Sequence, residues 1–598
     1  MDLFWKEEGK RNKRGVLFQV VFIIMLVFGI FLCADEGFAK TVIFNKKNFP
    51  DKAMREALYD YTIGEKMTKS DLNDEDGLEI DGGKRKVNLK GIEYFPKLSM
   101  LELYETAKSR EFPPIPKLES LVYSNDAIEK LKLPRYSKLK AVDIKGKKME
   151  SLDLSNNKQI QSIGLHAPKL QKLVLSQFSQ LRVLYLEKMN LPELDLSYNS
   201  HLEELEIEKT ILPGLDLSHN PELKILELTD TNLAHSSGVR MPGSAETPRT
   251  LDLSYNLQLT SISLKRVRGI TFDPTSERLE EGTTGVEISP LGFDPASLGK
   301  LKKLVLDDQD MEIFELSDHP ALESLTIRND GKLQKIVIKG CKKLKTLTIK
   351  NNHSLREIQI EGCTKLKELT VQKNPLLEQI LSGEDEKLTS LSVKECKNMR
   401  DLDHMNLSQL KKLWLVSTAV SDLSTKRFPK LEKLSVYQNK IKKVDFQSLK
   451  NLETLEVRYE KSTKSLDVSR FPKLRKLIWT DGILKKVNFG KNSRKMYYIN
   501  LNDNRLSGKW DMGKFKNLEE LRLNNNRITS IDFGKRDQIE SVFCRNNRLK
   551  TFKSVEALNL FELDCRDNPG VQIYMCHSDD ECMDWRFGKK SKVYYKYG

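Results

Sequence analysis

The sequence has few cysteines, eight in 598 residues, and most of them lie far apart. Small secreted domains that depend on disulfides contain many more cysteines for their length, so a disulfide-based scaffold is excluded. Cys576 and Cys582 are the exception, because they lie close together near the C-terminus. We predict these two as a candidate disulfide. A zinc site there is disfavoured, since no second pair of ligands accompanies them.

Groups typical of catalysis are also scarce. The eight histidines are scattered, and the sequence contains no H-E-x-x-H, no glycine-rich phosphate loop and no G-x-S-x-G motif. Cys582-Met583-Asp584 copies the cysteine-x-aspartate of some secreted bacterial ubiquitin ligases, but only a short tail surrounds it, where those enzymes carry a helical domain. We therefore predict no catalytic residue, no metal site and no cofactor, and a protein that is not an enzyme.

Only one long apolar run occurs, from Val16 to Cys33, and five basic residues precede it. This layout, followed by Gly37-Phe38-Ala39, is typical of a secretory signal, so residues 1–39 are predicted as a signal peptide cleaved after Ala39. The run is long for a signal and close to the length that spans a bilayer, which leaves an uncleaved membrane anchor as the alternative. The remaining chain is expected to be secreted or held at the cell surface.

The formal net charge of +15 is modest for so long a chain. It favours anionic surfaces such as wall polymers or acidic glycans. Because the basic residues are dispersed along the sequence and do not form a stripe, nucleic acid is not an expected partner.

A repeat of 21 or 22 residues fills the second half of the chain. Its motif L-x-x-L-x-L begins at Leu301, Leu322, Leu344, Leu366, Leu388, Leu410, Leu431, Leu452, Leu474, Met496, Leu518, Ile539 and Leu560. The first half continues the series at a spacing of 20 or 21, from Leu98, Leu118, Leu139, Ile160, Leu181, Leu202 and Leu223. With two stretched units at Leu223 and Leu259, about 21 units are predicted.

Each unit is predicted to form one strand at L-x-L, with leucines pointing inward and the intervening residues outward. A second short strand is expected about 13 residues after the start, as at Leu152–Ser155, Leu194–Ser197 and Leu215–Ser218. One unit cannot bury both apolar edges, so the units must stack into a solenoid with parallel strands on the concave face and short second strands or turns on the convex face.

Small polar residues recur eight positions after the start of a unit, where the backbone turns inside the stack. They are Asn352, Asn374, Asn439, Asn504, Asn526, Asn547 and Asn568, with Cys396, Thr210, Thr231 and Thr418 in other units. An apolar residue here would leave buried amides without partners, at roughly 1–3 kcal/mol each. These residues are predicted to be structural and not to bind a ligand.

These units resemble bacterial leucine-rich repeats, specifically the 21-residue type with an L-D-x-S-x-N second half found in internalin-like surface proteins. Asn48-Phe49-Pro50-Asp51 and the segment 89–95 are similar to the N-terminal cap of such proteins, and residues 53–61 have helical spacing. The resemblance implies a small helical cap at 40–97, repeats over 98–570 and a C-terminal cap with a basic tail at 571–598. Some relatives carry a calcium loop in the cap, but Thr62, Gly64 and Lys66 replace its acidic ligands, so calcium binding is not predicted.

The repeat is irregular over 234–300, where two proline- and glycine-containing segments interrupt it. Insertions in solenoids often lie near a binding surface, although a joint between two repeat blocks explains them equally well.

The outward positions of neighbouring strands should form a continuous surface, on which three patches are predicted. The first is acidic and suggests a cationic ligand, or else a solvated face in which Lys188 and Lys209 balance the charge: Glu187, Glu204, Glu206, Glu208 and Glu227. The second is a hydroxyl stripe that the strand preference of threonine explains: Thr326, Thr348, Thr370 and Ser392.

The third patch is aromatic and is the predicted ligand-binding site on the concave face: Trp414, Tyr437, Arg458, Tyr459, Ile478 and Tyr498. Val416, Lys412, Lys433 and Lys476 accompany it. Inward leucines already fill the core, so outward rings need another partner, and Trp, Tyr and Arg dominate interface energetics. The alternative is that the rings stack on one another across strands. The predicted function is protein–protein interaction or adhesion at the bacterial surface. The competing hypothesis is a structural protein that binds the cell wall or a surface glycan.

Overall fold

The computed structural model describes residues 42–43, 45–58, 66–67, 72, 76–107, 110–212, 214–233, 251, 253–267, 295–383, 387–439, 443–445, 449–534, 538–554, 559–576, 584–588 and 590–596. The predicted signal segment, most of the irregular stretch (234–250 and 268–294), Cys582 and the Cys576 side chain lie outside them. Among the described helices, none has the length and apolar character needed to cross a membrane.

The chain forms two compact units. Of the described residues, those from 42 to 259 with 266 and 267 belong to the first unit, and those at 260–265 and from 295 to 596 belong to the second. In each unit the described residues form parallel strands at intervals that follow the sequence repeat, which confirms the predicted leucine-rich-repeat solenoid.

A long parallel sheet runs through the first unit and contains the L-x-L strands. Its strands are β3 (Gly77–Asp81), β4 (Met100–Tyr104), β5 (Ser120–Ser124), β7 (Ala141–Lys145), β9 (Ser162–His166), β10 (Val183–Glu187), β11 (Glu204–Glu208) and β12 (Ile225–Thr229). Each pairs in register with the next. Leu205 and Ile207 of β11 are fully buried, whereas the glutamates between them lie on the outer face.

The second unit repeats this arrangement with more strands. They are β13 (Ser261–Lys265), β14 (Lys303–Asp307), β16 (Ser324–Arg328), β18 (Thr346–Lys350), β20 (Glu368–Gln372), β22 (Ser390–Lys394), β23 (Lys412–Val416), β25 (Lys433–Tyr437), β27 (Thr454–Arg458), β29 (Lys476–Thr480), β31 (Tyr498–Asn500), β33 (Glu520–Arg522), β35 (Ser541–Phe543), β37 (Glu562–Asp564) and β39 (Asp584–Arg586). All are parallel.

Short second strands form small parallel sheets on the other side of the core. They are β6 (Lys130–Lys132), β8 (Ser151–Asp153), β15 (Ile313–Ser317), β17 (Lys335–Lys339), β19 (Glu357–Glu361), β21 (Gln379–Ser382), β24 (Asp422–Ser424), β26 (Lys443–Asp445), β28 (Ser465–Asp467), β30 (Lys486–Asn488), β32 (Ser507–Asp511), β34 (Arg527–Asp532), β36 (Thr551–Ser554), β38 (Gln572–Cys576) and β40 (Lys592–Lys596).

Two of the predicted second strands are wrong. The segments at Leu194–Ser197 and Leu215–Ser218 are not strands and lead into turns that begin at their serines, and of the three segments only the one at 152–155 contributes to a strand, β8. The aspartate of each L-D-x-S motif accepts the backbone N–H of the serine two residues later, at 2.9 Å for Asp195 and for Asp216. Asp153 makes the same bond to Ser155 at 2.9 Å although it belongs to β8, so the bond ends the segment in a turn but does not by itself exclude a strand.

A residue in the left-handed backbone conformation follows most strands of the long sheet. Examples are Lys188 (φ 54°), Lys209 (φ 50°), Asn351 (φ 57°) and Asn525 (φ 58°). At this turn the chain leaves the long sheet and crosses to the other side of the core. Asparagine and aspartate tolerate this conformation best among non-glycine residues, which explains their frequency at this position.

The asparagines predicted to be structural link consecutive turns, and all of them except the half-buried Asn439 are buried. Asn526 donates its Nδ2 to the carbonyls of Leu501 at 2.9 Å and Leu523 at 3.1 Å, while its Oδ1 accepts the N–H of Leu506 at 3.0 Å. Asn547 and Asn568 repeat this pattern. Each side chain therefore satisfies backbone groups of two turns, as the spacing predicts.

At the N-terminal end, helix α1 (Lys52–Ala57) covers part of the first unit. Asp51 caps it by accepting the N–H of Ala53 at 2.8 Å. The strands β1 (Val42–Ile43) and β2 (Lys66–Met67) form a separate antiparallel pair. The long sheet begins at β3, within the segment predicted as the cap, and β39 and β40 extend both sheets into the segment predicted as the C-terminal tail.

Candidate binding surfaces

Each strand of the long sheets that spans five residues places three side chains on the outer face. In β23 these are Lys412, Trp414 and Val416, while Leu413 and Leu415 are buried. The in-register pairing aligns these positions from strand to strand into a first, a middle and a third row. Neighbours within a row are about 4.8 Å apart along the sheet, although they lie 21 or 22 residues apart in sequence.

The predicted aromatic site forms one face of the second unit, built by β23, β25, β27, β29 and β31, which we call the aromatic face. Trp414 and Ile478 lie in the middle row, Tyr437 and Arg458 are neighbours in the third row, and Tyr498 lies in the first row. Ile478 is only 6% exposed and therefore offers little contact area.

Tyr459 differs from the other predicted residues because it follows β27 and does not belong to the strand. It has φ 60° and is 48% exposed. Most other repeats have a short polar residue or a lysine at this left-handed position, and a bulky aromatic residue is uncommon there. The tyrosine thus projects from the edge of the aromatic face at a backbone position that disfavours it.

Cations cover the rings of the aromatic face, a feature that the sequence did not reveal. The Lys433 Nζ lies 5.2 Å from the centroid of the Trp414 ring, and the Arg458 guanidinium lies 5.1 Å from that of Tyr437. The Lys476 Nζ lies 4.4 Å from the Tyr498 ring. Among the described residues these three rings do not stack on one another, so cation–π contacts replace the expected alternative of ring stacking.

Glu456 lies at the centre of the aromatic face and was also missed in the sequence. Its carboxylate accepts hydrogen bonds from Arg458 at 2.9 Å and from the Ser435 hydroxyl at 3.3 Å. Burial opposes ionisation of Glu456, but the donors around it outweigh the effect of burial and lower its pKa. Burial raises the pKa of Tyr437, so its hydroxyl stays neutral. Glu456 holds Arg458 in position before any partner arrives.

Three lysines complete the aromatic face. Lys412, Lys433 and Lys476 lie in the first row and make no ion pair with a described residue. Arg458, in contrast, is paired with Glu456. The face therefore combines aromatic surface with unneutralised positive charge. A similar pair lies further along, where the Arg522 guanidinium is 4.3 Å from the Phe543 ring.

The predicted hydroxyl stripe lies in the middle row as expected. Thr326, Thr348, Thr370 and Ser392 are aligned in register and lead directly to Trp414.

The predicted acidic residues form a patch on β10, β11 and β12 of the first unit, which we call the acidic surface: Glu187, Glu204, Glu206, Glu208 and Glu227. Glu206 and Glu227 are direct neighbours in the middle row, and Glu187 and Glu208 are neighbours in the third row. Glu187 is paired with Lys188 at 2.6 Å, and Glu208 is paired with Lys209. Glu204, Glu206 and Glu227 have no hydrogen bond or ion pair with a described side chain.

The carboxylates of the acidic surface affect each other's protonation. Burial, followed by the charges of Glu227 and Glu204, raises the pKa of Glu206 to about 7. Burial and Glu227 also raise the pKa of Glu204. The pKa of Glu187 is lowered, because hydrogen bonds from Lys188 and His166 outweigh the effect of its burial. The acidic surface thus retains negative charge that the protein itself does not neutralise.

No group of three or more histidine, cysteine, aspartate or glutamate side chains in the described part of the chain is arranged to hold a metal ion. The five cysteines whose side chains are described are buried and are not in a disulfide: Cys341, Cys363, Cys396, Cys544 and Cys565.

Three solved structures illustrate what the chain is similar to. The functional domain of InlJ from Listeria monocytogenes is 15% identical with a TM-score of 0.33, over 79% of this chain and 83% of that one. YopM from Yersinia enterocolitica is 18% identical with a TM-score of 0.38, over 90% and 93%. TLR13 in complex with ssRNA13 is 17% identical with a TM-score of 0.37, over 83% and 74%. No protein-family model and no curated protein matches the chain.

Proposed function

We propose that this leucine-rich-repeat solenoid is a non-enzymatic protein that binds a protein partner through the aromatic face, from Trp414 to Tyr498. One observation carries the proposal. Large rings lie outside a core that inward leucines already fill, and Glu456 fixes Arg458, whose guanidinium covers the Tyr437 ring. Rigid aromatic and arginine side chains are typical of residues that contribute most to protein interfaces.

The charge of the aromatic face indicates the chemistry of its partner. Lys412, Lys433 and Lys476 lack acidic partners among the described residues, so a partner surface with carboxylates beside apolar groups would complement the face. Nucleic acid is a different anionic ligand, and the TLR13 structure contains RNA. We favour protein, because the aromatic face has its own carboxylate, Glu456, in the middle row, where it would repel a phosphate backbone.

The location of the protein follows from residues 1–39, whose layout is typical of a secretory signal. We propose that the chain acts outside the cell, secreted or at its surface, where adhesion is one result of binding a protein partner. N-terminal sequencing of the exported chain tests this proposal: a start at residue 40 supports cleavage, and an intact N-terminus indicates an anchor.

The test of the binding site compares proteins captured by the purified chain with those captured by Trp414→Ala/Tyr437→Ala. We expect the double variant to lose its specific partner, with affinity lowered by at least about tenfold, since removal of an interface hot spot typically costs 2 kcal/mol or more. The matched control is Tyr198→Ala/Tyr255→Ala, which removes two exposed rings elsewhere. Equal capture by wild type and Trp414→Ala/Tyr437→Ala, with both folded, would refute the site. Competition by single-stranded RNA would instead indicate a nucleic-acid ligand.

A further inference from the structure

A hollow adjoins the acidic surface of the first unit, on the outer face of β7 and β9. The middle row there runs from Asp143 through Gly164 and Tyr185 to Glu206. Gly164 has no side chain, and Ala141 and Ser162 in the first row are small. These small residues therefore leave a depression in the outer face of the sheet, and the Tyr185 side chain borders it on one side.

Asp143 faces this hollow. It is only 5% exposed, and its Oδ1 lies 3.1 Å from the place that a Cβ on Gly164 would occupy. This oxygen has no hydrogen-bond partner, while Oδ2 is 3.2 Å from the Lys145 Nζ. A buried carboxylate oxygen without a donor carries a free-energy cost, and a donor that enters above Gly164 would remove it.

The adjacent strands carry a second set of acceptors that have no hydrogen-bond donor. These are Glu204, Glu206 and Glu227. The three side chains are half-buried and lie on two neighbouring strands, and no described cation faces them. Like charges placed side by side on a sheet oppose its formation, so the fold accepts a cost here that an external cation would relieve. Tyr185 lies between the two sets in the middle row.

We propose that the hollow at Gly164 together with the acidic surface is a second binding site, independent of the aromatic face, for a basic segment of a partner protein. One lysine or arginine side chain enters above Gly164 and donates to Asp143 Oδ1, and another lies between Glu206 and Glu227. The aromatic ring of Tyr185 packs against the alkyl part of the entering side chain.

Chemistry favours such a basic side chain over a metal ion. No described cluster of carboxylates has the arrangement of a metal site, whereas lysine and arginine carry several N–H donors on long stems that reach carboxylates on adjacent strands. The middle row runs from Asp143 on β7 past Gly164 and Tyr185 to Glu206 on β11 and Glu227 on β12, so its carboxylates are spread over several strands, which suits an extended segment with more than one basic residue.

The experiment measures binding of a fluorescent peptide of alternating lysine and alanine to the purified full chain by fluorescence anisotropy, with a glutamate–alanine peptide as the charge control. The buffer is held at pH 8, above the pKa of about 7 of Glu206, so that this carboxyl is ionised. We expect the lysine peptide to bind and to weaken as salt rises, because its contacts are partly exposed to solvent. Glu206→Gln/Glu227→Gln, which keeps the shape and removes two charges, should weaken binding by at least tenfold. Gly164→Val, which fills the hollow, should also weaken it, with all charges retained.

The matched control is Glu193→Gln/Glu222→Gln, which removes the same charge from exposed positions outside the sheet face of the first unit. It should bind the lysine peptide as wild type does. An equal loss in the control would show non-specific attraction and overturn the proposal. So would unchanged binding in both Glu206→Gln/Glu227→Gln and Gly164→Val, or displacement of the peptide by stoichiometric Ca²⁺ or Mg²⁺. Trp414→Ala/Tyr437→Ala should leave peptide binding unchanged, which separates this result from that of the aromatic face.

Discussion

At the scale of single residues, surroundings decide what each outward side chain can do. Glu206 and Glu456 occupy the same middle row of their sheets, yet Glu206 faces other glutamates and Glu456 faces donors. The pKa of Glu206 is therefore raised and that of Glu456 lowered. One residue type thus serves as an unsatisfied acceptor in one unit and as a structural anchor in the other.

Glu206 makes stability depend on pH. Its pKa is about 7 in the folded chain against 4.5 for an unperturbed glutamate, so the folded state holds the proton more tightly. The free energy of unfolding should then fall as pH rises from about 4.5 to about 7 and stay low above that. After allowance for solvent screening the loss is roughly 1 kcal/mol. Tyr185, Glu187, Glu204, Glu208 and Glu227 are the titratable groups that face Glu206.

Urea unfolding at pH 5 and pH 8, followed by circular dichroism, measures this loss. Glu206→Gln should shift the midpoint less between the two pH values than wild type, whereas Glu193→Gln, an exposed position, should match wild type. If the midpoint of Glu206→Gln shifted with pH as much as that of wild type, Glu206 would not be the source of the pH dependence.

The sequence predicted which residues lie on the outer face but not what covers them. Trp414, Tyr437 and Tyr498 were correctly expected to point outward, because the two-residue period of a strand is visible in L-x-L. Their cation partners come from the next or the preceding strand, and the conformations of long side chains are not encoded in the repeat. Tyr459 was expected on the strand face, and its left-handed conformation depends on where the strand ends.

At the scale of elements, helix α1 is held by one buried carboxylate. Asp51 caps α1 through Ala53 and also accepts from Arg85 and from the N–H of Asn88, each at 2.8 Å. Asp51 thus connects the helix to the turn that leads into the repeats.

Asp51→Ala should remove all three interactions and destabilise this end of the first unit by about 1–3 kcal/mol, because buried donors lose their acceptor. Hydrogen–deuterium exchange should show faster exchange in 49–58 and 85–90, with little change in the second unit. Lys52→Ala is the control, since the Lys52–Glu56 pair is exposed. Unchanged exchange in Asp51→Ala would show that packing alone holds the helix.

The second strands show where a repeat motif is ambiguous. L-D-x-S segments at 152–155 and 194–197 look alike in sequence, yet only the first contributes to a strand. Asp153 and Asp195 make the same local hydrogen bond to a serine N–H at 2.9 Å, so the difference is that Ser151–Asp153 pairs with β6, whereas residues 194–197 are not part of a strand. The strand with which a segment pairs belongs to a neighbouring repeat and cannot be read from a single motif.

At the scale of the whole molecule, the core contains thiols that do not bridge. Cys341, Cys363, Cys396, Cys544 and Cys565 are fully buried, and the sulfurs of Cys544 and Cys565 are 3.0 Å apart in a hydrogen bond. Together with the candidate disulfide between Cys576 and Cys582, this predicts five free thiols in residues 40–598.

Alkylation followed by peptide mass spectrometry counts these thiols. The native chain should show no labelling at the five buried positions, and unfolding without reductant should expose all five while the other two stay unlabelled. Reduction should then raise the total to seven. Seven labelled thiols before reduction would exclude the disulfide, and fewer than five would indicate an additional bridge.

The register of the long sheets affects how such a protein can evolve. Because neighbours in a row come from positions one repeat apart, gain or loss of one whole repeat moves a patch along the stack and leaves its composition intact. Loss of a single residue inside a strand instead turns every later side chain of that strand to the opposite face. Genetic duplication can therefore lengthen, shorten or relocate the aromatic face and the acidic surface separately, so that selection can tune two recognition specificities on one scaffold.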